Sequence, residues 1–164
     1  YILVTLHRPS NVDDPEIFRG IYAAIGELSR TIPVVFPVHP RTRKMIDAHR
    51  KTFGEYPGIR LIEPVGYLDF VKAMEQARLV ITDSGGIQEE TTVLGVPCLT
   101  ARENTERPIT IELGTNLLVG TDGGRILSEA KSVLDGGMPA RRIPPLWDGK
   151  TAGRIADVLE THLT

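Results

Sequence analysis

Leu79-Val80-Ile81-Thr82-Asp83-Ser84-Gly85-Gly86-Ile87-Gln88-Glu89-Glu90 passes from an apolar β-forming run, through two glycines, into a helical pattern. β-branched residues suit a buried pleated strand, and glycines let the backbone turn sharply where the strand gives way to the helix. The same alternation extends in both directions. Strands are predicted at Ile2–Leu6, Val34–Pro37, Ile59–Ile62, Leu79–Thr82, Pro97–Thr100 and Asn116–Val119. Between them, apolar residues fall three or four apart, as in Ile17, Ile21, Ala24, Ile25 and Leu28, where Asp14 is placed to cap the helix and Pro15 to begin it. Further helices are expected over Met45–Phe53, Tyr67–Ala77, Gly86–Leu94 (closed by Gly95), Arg125–Leu134 (closed by Gly136) and Thr151–His162. Strand and helix in this rhythm specify an α/β fold: a Rossmann-like parallel sheet with helices on both faces. Such sheets bind ligands beyond the carboxyl ends of their strands.

The 164 residues form one domain by size, with 41% hydrophobic and 24% charged residues. A formal charge of -2 gives no electrostatic footprint for nucleic acid or an anionic membrane surface. The single cysteine, Cys98, lies in the apolar run Val96-Pro97-Cys98-Leu99 and reads as a buried structural thiol. No HxH, HExxH or CxxC spacing suggests a metal site. There is no apolar stretch long enough to span a bilayer and no basic-then-apolar leader, so the expected location is the cytoplasm. The chain opens directly on the strand pattern Tyr1-Ile2-Leu3-Val4-Thr5, without methionine, and reads as a segment cut at a domain boundary.

Four strand ends carry the candidate chemistry: His7-Arg8-Pro9-Ser10-Asn11, Pro37-Val38-His39-Pro40-Arg41, Asp83 through Glu90, and Arg102 through Pro108. Ser84, Gly85 and Gly86 stand where a helix N-terminus presents backbone N–H groups, a setting that favours phosphate. The spacing is neither that of a Walker loop nor GxGxxG. The alternative is an ordinary tight strand-to-helix turn. Glu90, one turn beyond Gly86, can reach a ribose held above a diphosphate. Arg8 offers a forked phosphate donor, and His7 a group that titrates near neutrality. His39 ends the neighbouring strand beside Arg41. Each histidine also has a purely structural reading, whereas His49 and His162 read as surface residues. Phe70 is either core packing or a flat wall for a nucleobase. Arg107, just before a proline placed to start a helix, either clamps phosphate or pairs with Glu106 or Glu112.

Taken in order, Thr5-Leu6-His7-Arg8 with Asn11, Phe36-Pro37-Val38-His39-Pro40-Arg41-Thr42, Thr82 through Glu90, Thr105-Glu106-Arg107-Pro108 and Trp147-Asp148-Gly149 resemble the C-terminal domain of the non-hydrolysing UDP-N-acetylglucosamine 2-epimerases. The resemblance implies a glycosyltransferase-B-like enzyme of two Rossmann-type domains. Residues 1–164 would be the UDP-binding one, its N-terminal partner domain being absent from the chain. It implies interconversion of UDP-N-acetylglucosamine and UDP-N-acetylmannosamine by elimination and re-addition of UDP, with no cofactor and no metal. Carried over by position, His7 would be catalytic at the leaving diphosphate, with Arg8, His39 and Arg107 on the phosphate side. Ser84, Gly85 and Gly86 would hold the diphosphate, Glu90 the ribose hydroxyls, and Phe70 would lie against uracil. The resemblance also suggests a homodimer for the full-length enzyme and an inactive isolated domain. The chain departs from the family pattern at Ser10 and Ile109, where many members carry acidic residues. Rival readings are a 2-epimerase of a related UDP-2,3-diacetamido sugar, a hydrolysing 2-epimerase, a glycosyltransferase-B donor domain, and a UDP-sugar sensor without catalysis.

Overall fold

The computed structural model describes residues 1–137 and 142–163. Six parallel strands, β1 (Ile2–Thr5), β2 (Val34–Pro37), β3 (Ile59–Ile62), β4 (Leu79–Thr82), β5 (Cys98–Thr100) and β6 (Asn116–Leu118), form one sheet. Their order is β3-β2-β1-β4-β5-β6, so the sheet grows outward in both directions from the β1–β4 pair. That reversal of direction is the switch point at which doubly wound sheets open a ligand crevice.

The helices are α1 (Pro9–Val12), α2 (Pro15–Leu28), α3 (Pro40–Ala48), α4 (Arg50–Phe53), α5 (Tyr67–Gln76), α6 (Gly85–Leu94), α7 (Pro108–Glu112), α8 (Gly123–Leu134) and α9 (Thr151–Leu163). Asp14 caps α2 as expected: its carboxylate accepts from the Glu16 and Ile17 N–H groups, with Pro15 at the first position. The helix expected over Met45–Phe53 begins earlier, at Pro40, and breaks at His49. His49 is half-buried rather than a plain surface residue. Its Nδ1 lies 3.1 Å from the Met45 carbonyl and its ring stacks on Phe53 at 5.2 Å.

Strand alternation divides the core. Ile2, Val4, Leu79 and Ile81 point to one face, where Phe18, Ile21 and Ile25 of α2 and Ile126 and Ala130 of α8 cover them. Leu3 and Val80 point to the other, against Met74 of α5 and Val96. Each of these larger side chains, Ala130 apart, contributes about 1.5–3 kcal/mol by leaving water. Truncating fully buried Ile25 to alanine would cost about 2–5 kcal/mol. Cys98 is fully buried in β5, and burial pushes its thiol up to about 12. It is a structural thiol. Helix α9 has no buried residue, and among the described residues no helix is long and apolar enough to cross a membrane.

Candidate functional site

The crevice is built around Asp83, the first residue after β4, which is fully buried. Its carboxylate accepts from the His7 backbone N–H (3.0 and 3.2 Å), the Arg8 backbone N–H (2.9 Å) and Asn11 Nδ2 (3.0 Å). His7 Nδ1 lies 3.1 Å from Asp83 Oδ1. Burial pushes the Asp83 carboxyl upward, but the hydrogen bonds from His7 and Arg8 outweigh it and hold the group below its ordinary 3.8. The hydrogen bond to Asp83 raises the His7 pKa above 6.5, desolvation and Arg8 opposing. Asn11 also donates to the Ala101 carbonyl (2.9 Å), so one buried amide ties together the ends of β1, β4 and β5.

His39 has the opposite arrangement. It precedes α3, and its Nδ1 accepts from the Arg41 backbone N–H at 3.2 Å. The rings of His7 and His39 are 6.2 Å apart, and both line a hollow of about 180 Å³ with Thr5, Pro37, Val65 and Phe70. Phe70 lines this hollow and also packs against the smaller core cluster, as its core-packing reading expects.

On the other side of Asp83 lies the α6 N-terminus. Its first-turn N–H groups have no intrahelical acceptor, and the Ser84 side chain does not cap them. The Ser84 N–H itself is taken by Thr82 Oγ1 at 3.1 Å, which leaves the glycines as the open donors. A Cβ on Gly86 would meet nothing within 4 Å, and one on Gly85 only Glu106 Oε2, at 3.7 Å. Arg8 leans over this turn, its Nε donating to the Asp83 carbonyl at 2.8 Å.

Glu106 is gripped by Arg102, which is 8% exposed and donates through both terminal nitrogens at 2.7 Å. That pairing holds the Glu106 carboxyl at about 2. The Arg107 guanidinium forms no ion pair with the carboxylate of Glu106 or Glu112; its Nη1 donates to the Glu106 backbone carbonyl at 3.2 Å, and its Nε lies 2.8 Å from Glu89 Oε1. Beneath this loop, buried Gln88 accepts from Thr105 Oγ1 (2.6 Å) and Asn116 Nδ2 (3.2 Å). Glu90 lines a separate cleft of about 410 Å³ with Tyr67, Val71, Val93 and Trp147. Its charge and hydrogen bond raise the pKa of the exposed Tyr67 phenol.

The structure therefore groups His7, His39 and Phe70 in one hollow, sets Arg8, Ser84, Gly85 and Gly86 beside it, and leaves Glu90 and Arg107 on the outer flank of α6. Sequence reasoning missed the parts played by Asp83, Asn11, Arg102 and Gln88. Asp83 and Asn11 stood in the quoted motifs, but nothing local marked them as partners.

A 3-2-1-4-5-6 parallel sheet with polar loops converging on an uncapped helix N-terminus defines a Rossmann-like ligand-binding domain, one half of a glycosyltransferase-B-type fold. Escherichia coli heptosyltransferase WaaC shares the architecture alone, with a TM-score of 0.52 at 14% identity over 84% of this chain and 44% of that one. The family described as UDP-N-acetylglucosamine 2-epimerase matches residues 1–160, and the chain belongs to that family. Methanocaldococcus jannaschii UDP-N-acetylglucosamine 2-epimerase is 39% identical over 97% of the chain and 44% of the relative. Its crystal structure with UDP-GlcNAc and UDP superposes with a TM-score of 0.84 over 98% of this chain and 45% of that one. Pseudomonas aeruginosa UDP-2,3-diacetamido-2,3-dideoxy-D-glucuronate 2-epimerase is 38% identical over 97% of the chain and 44% of its own length. The chain thus spans somewhat less than half the length of these relatives.

Proposed function

We propose that residues 1–164 are the UDP-binding half of a two-domain 2-epimerase that interconverts UDP-N-acetylglucosamine and UDP-N-acetylmannosamine. The observation that carries this reading is the pairing of an open glycine turn with a carboxylate-backed histidine across the β1–β4 switch point. A leaving diphosphate needs fixed donors and a proton source, and the two sides of Asp83 supply one each. UDP is common to the ligands named for the relatives, and this half would grip that shared part.

In the proposed reaction a base removes the proton at C2 of the sugar. The C2–H electron pair forms the C1–C2 double bond, and the C1–O pair departs with UDP. His7, doubly protonated, donates its Nε2 proton to the departing phosphate oxygen, is left as the neutral Nδ1–H ring, and recovers the proton when UDP adds back. Reprotonation of C2 on the opposite face gives the epimer. The Gly85 and Gly86 N–H groups, Arg8 and the α6 dipole stabilise the charge that grows on the diphosphate. His39 and Arg107 flank the phosphates, Phe70 lies against the uracil and Glu90 accepts the ribose hydroxyls. The C2 base comes from outside this chain, so the chain alone binds UDP without turning over substrate. The full-length enzyme would be a cytoplasmic homodimer.

The test is calorimetric titration of UDP into the chain and into the full-length protein, with ADP and Glu90→Ala as controls. Saturable UDP binding that ADP does not match, and that Glu90→Ala weakens, supports the reading. Absence of UDP binding in both proteins, or conversion of UDP-N-acetylglucosamine by the chain alone, overturns it.

A further inference from the structure

Asp83 is an unusual use of a strand-end carboxylate. Full burial carries a desolvation cost, yet the group is ionised and surrounded by donors. Three of those donors come from the β1–α1 turn and α1 itself: the N–H groups of His7 and Arg8 and the amide of Asn11. They lock the carboxylate plane, leaving Oδ1 turned to the His7 ring. Asn11 is equally buried and has spent both its donor sites, one on Asp83 and one on Ala101. It cannot rotate without breaking both bonds. The two residues form a rigid plinth under an imidazole whose own side chain is 44% exposed.

We propose that Asp83, itself fixed by Asn11, is the positioning residue of this site. It holds His7 as the Nδ1–H tautomer and so presents Nε2 to the cleft where the phosphate oxygen leaves. The inference rests on the role proposed for His7 above. The charged and titratable groups that face His7 are Asp83 after β4, Arg8 beside it, His39 after β2, and Arg102 behind Asp83 from the β5 end. Asp83 alone among them is anionic, and it sets the ring's orientation, its tautomer and its proton affinity. The physics is that of a histidine oriented by a buried carboxylate, in which the acid stays ionised and the imidazole carries the proton.

Asp83→Asn separates orientation from scaffolding. The amide oxygen still accepts from the His7 and Arg8 backbone, while its NH2 faces His7 Nδ1 and enforces the wrong tautomer. In a serine protease triad the equivalent swap lowers kcat about 10⁴-fold for this reason. For the full-length enzyme the expected result is a fall in kcat of about 100-fold or more, with KM changed less than about 3-fold. UDP affinity should be retained, and the His7 pKa should drop toward or below its ordinary value. The decisive measurement is a ¹⁵N NMR titration of His7 in the unmutated protein, which does not depend on any variant folding. Protonated Nδ1 and bare Nε2 in the neutral ring are expected; a neutral ring protonated at Nε2 overturns the inference. So does an Asp83→Asn enzyme with unchanged kcat and unchanged His7 titration. The reading of His7 fails separately: if His7→Ala turns over normally, His7 is not the proton donor, whatever the tautomer proves to be.

Discussion

His7 and His39 end adjacent strands, 6.2 Å apart, and share one hollow, yet they are built in opposite ways. His7 gives Nδ1 to a buried carboxylate and keeps Nε2 for the cleft. His39 uses Nδ1 as an acceptor for the Arg41 N–H at the start of α3, so its neutral ring carries the proton on Nε2. In the proposed reaction the first exchanges a proton, whereas the second is a helix cap that offers a fixed donor. Two identical side chains at equivalent positions in the sheet thus acquire different chemistry from their second nitrogen alone.

The largest expected effect tests that division. In the full-length enzyme His7→Ala should lower kcat by about 10²–10⁴-fold, the range for losing a general acid. His39→Asn keeps a cap acceptor and should cost no more than about 10-fold; steady-state kinetics on both variants decides. Equal losses would erase the distinction. Next in size is Gly86→Val. The side chain would enter open space above the α6 N-terminus, so UDP affinity by calorimetry should fall more than 10-fold while the thermal midpoint changes little. Gly86→Ala should even raise stability, by up to about 1 kcal/mol, because alanine suits a helix better. Glu90→Ala should weaken UDP by about 10-fold, in line with about 1.5 kcal/mol for a hydrogen bond to a charged group.

The acid–base couple gives a smaller effect with a defined sign. The Asp83 pKa is lowered on folding, so its contribution is complete above pH 3.8 and is lost as pH falls through the folded value. The His7 pKa is raised, so its contribution is complete below pH 6.5 and is lost as pH rises through the folded value. The stability difference between wild type and Asp83→Asn, by urea denaturation, should therefore peak between these two values and shrink on either side. Smallest of all, Glu89→Gln should change stability by no more than about 1 kcal/mol, because its pair with Arg107 is partly exposed.

Much of this architecture was legible in the residues. β-branched runs between turn signals located all six strands to within a residue or so, because buried parallel strands must be continuously apolar. The Asp14-Pro15 and Gly95 signals fixed helix ends through chemistry that is local. What failed was either short or distant. Helix α1 has only four residues, too few to show a period. The break at His49 comes where its ring stacks on Phe53, a contact four residues further along the chain that no periodicity signals. Arg107 lies against the Glu89 carboxylate on α6, while the carboxylate of the nearer Glu106 is held by both terminal nitrogens of Arg102. Asp83 and Asn11 meet across 72 positions of sequence. His7, Arg8 and the glycine turn could be picked out by type and place, but their support could not, because it exists only once β1 and β4 lie side by side.

The burial of Cys98 has a practical consequence. With its thiol pushed to about 12 and no exposure to solvent, the residue carries almost no thiolate at neutral pH and cannot be alkylated in the native state. It is the chain's one cysteine. Any reaction with a maleimide must wait for β5 to come away from the sheet, so the labelling rate counts openings of the sheet. The protein carries its own clock for how often the floor of the crevice lets go, and UDP bound above it should slow that clock.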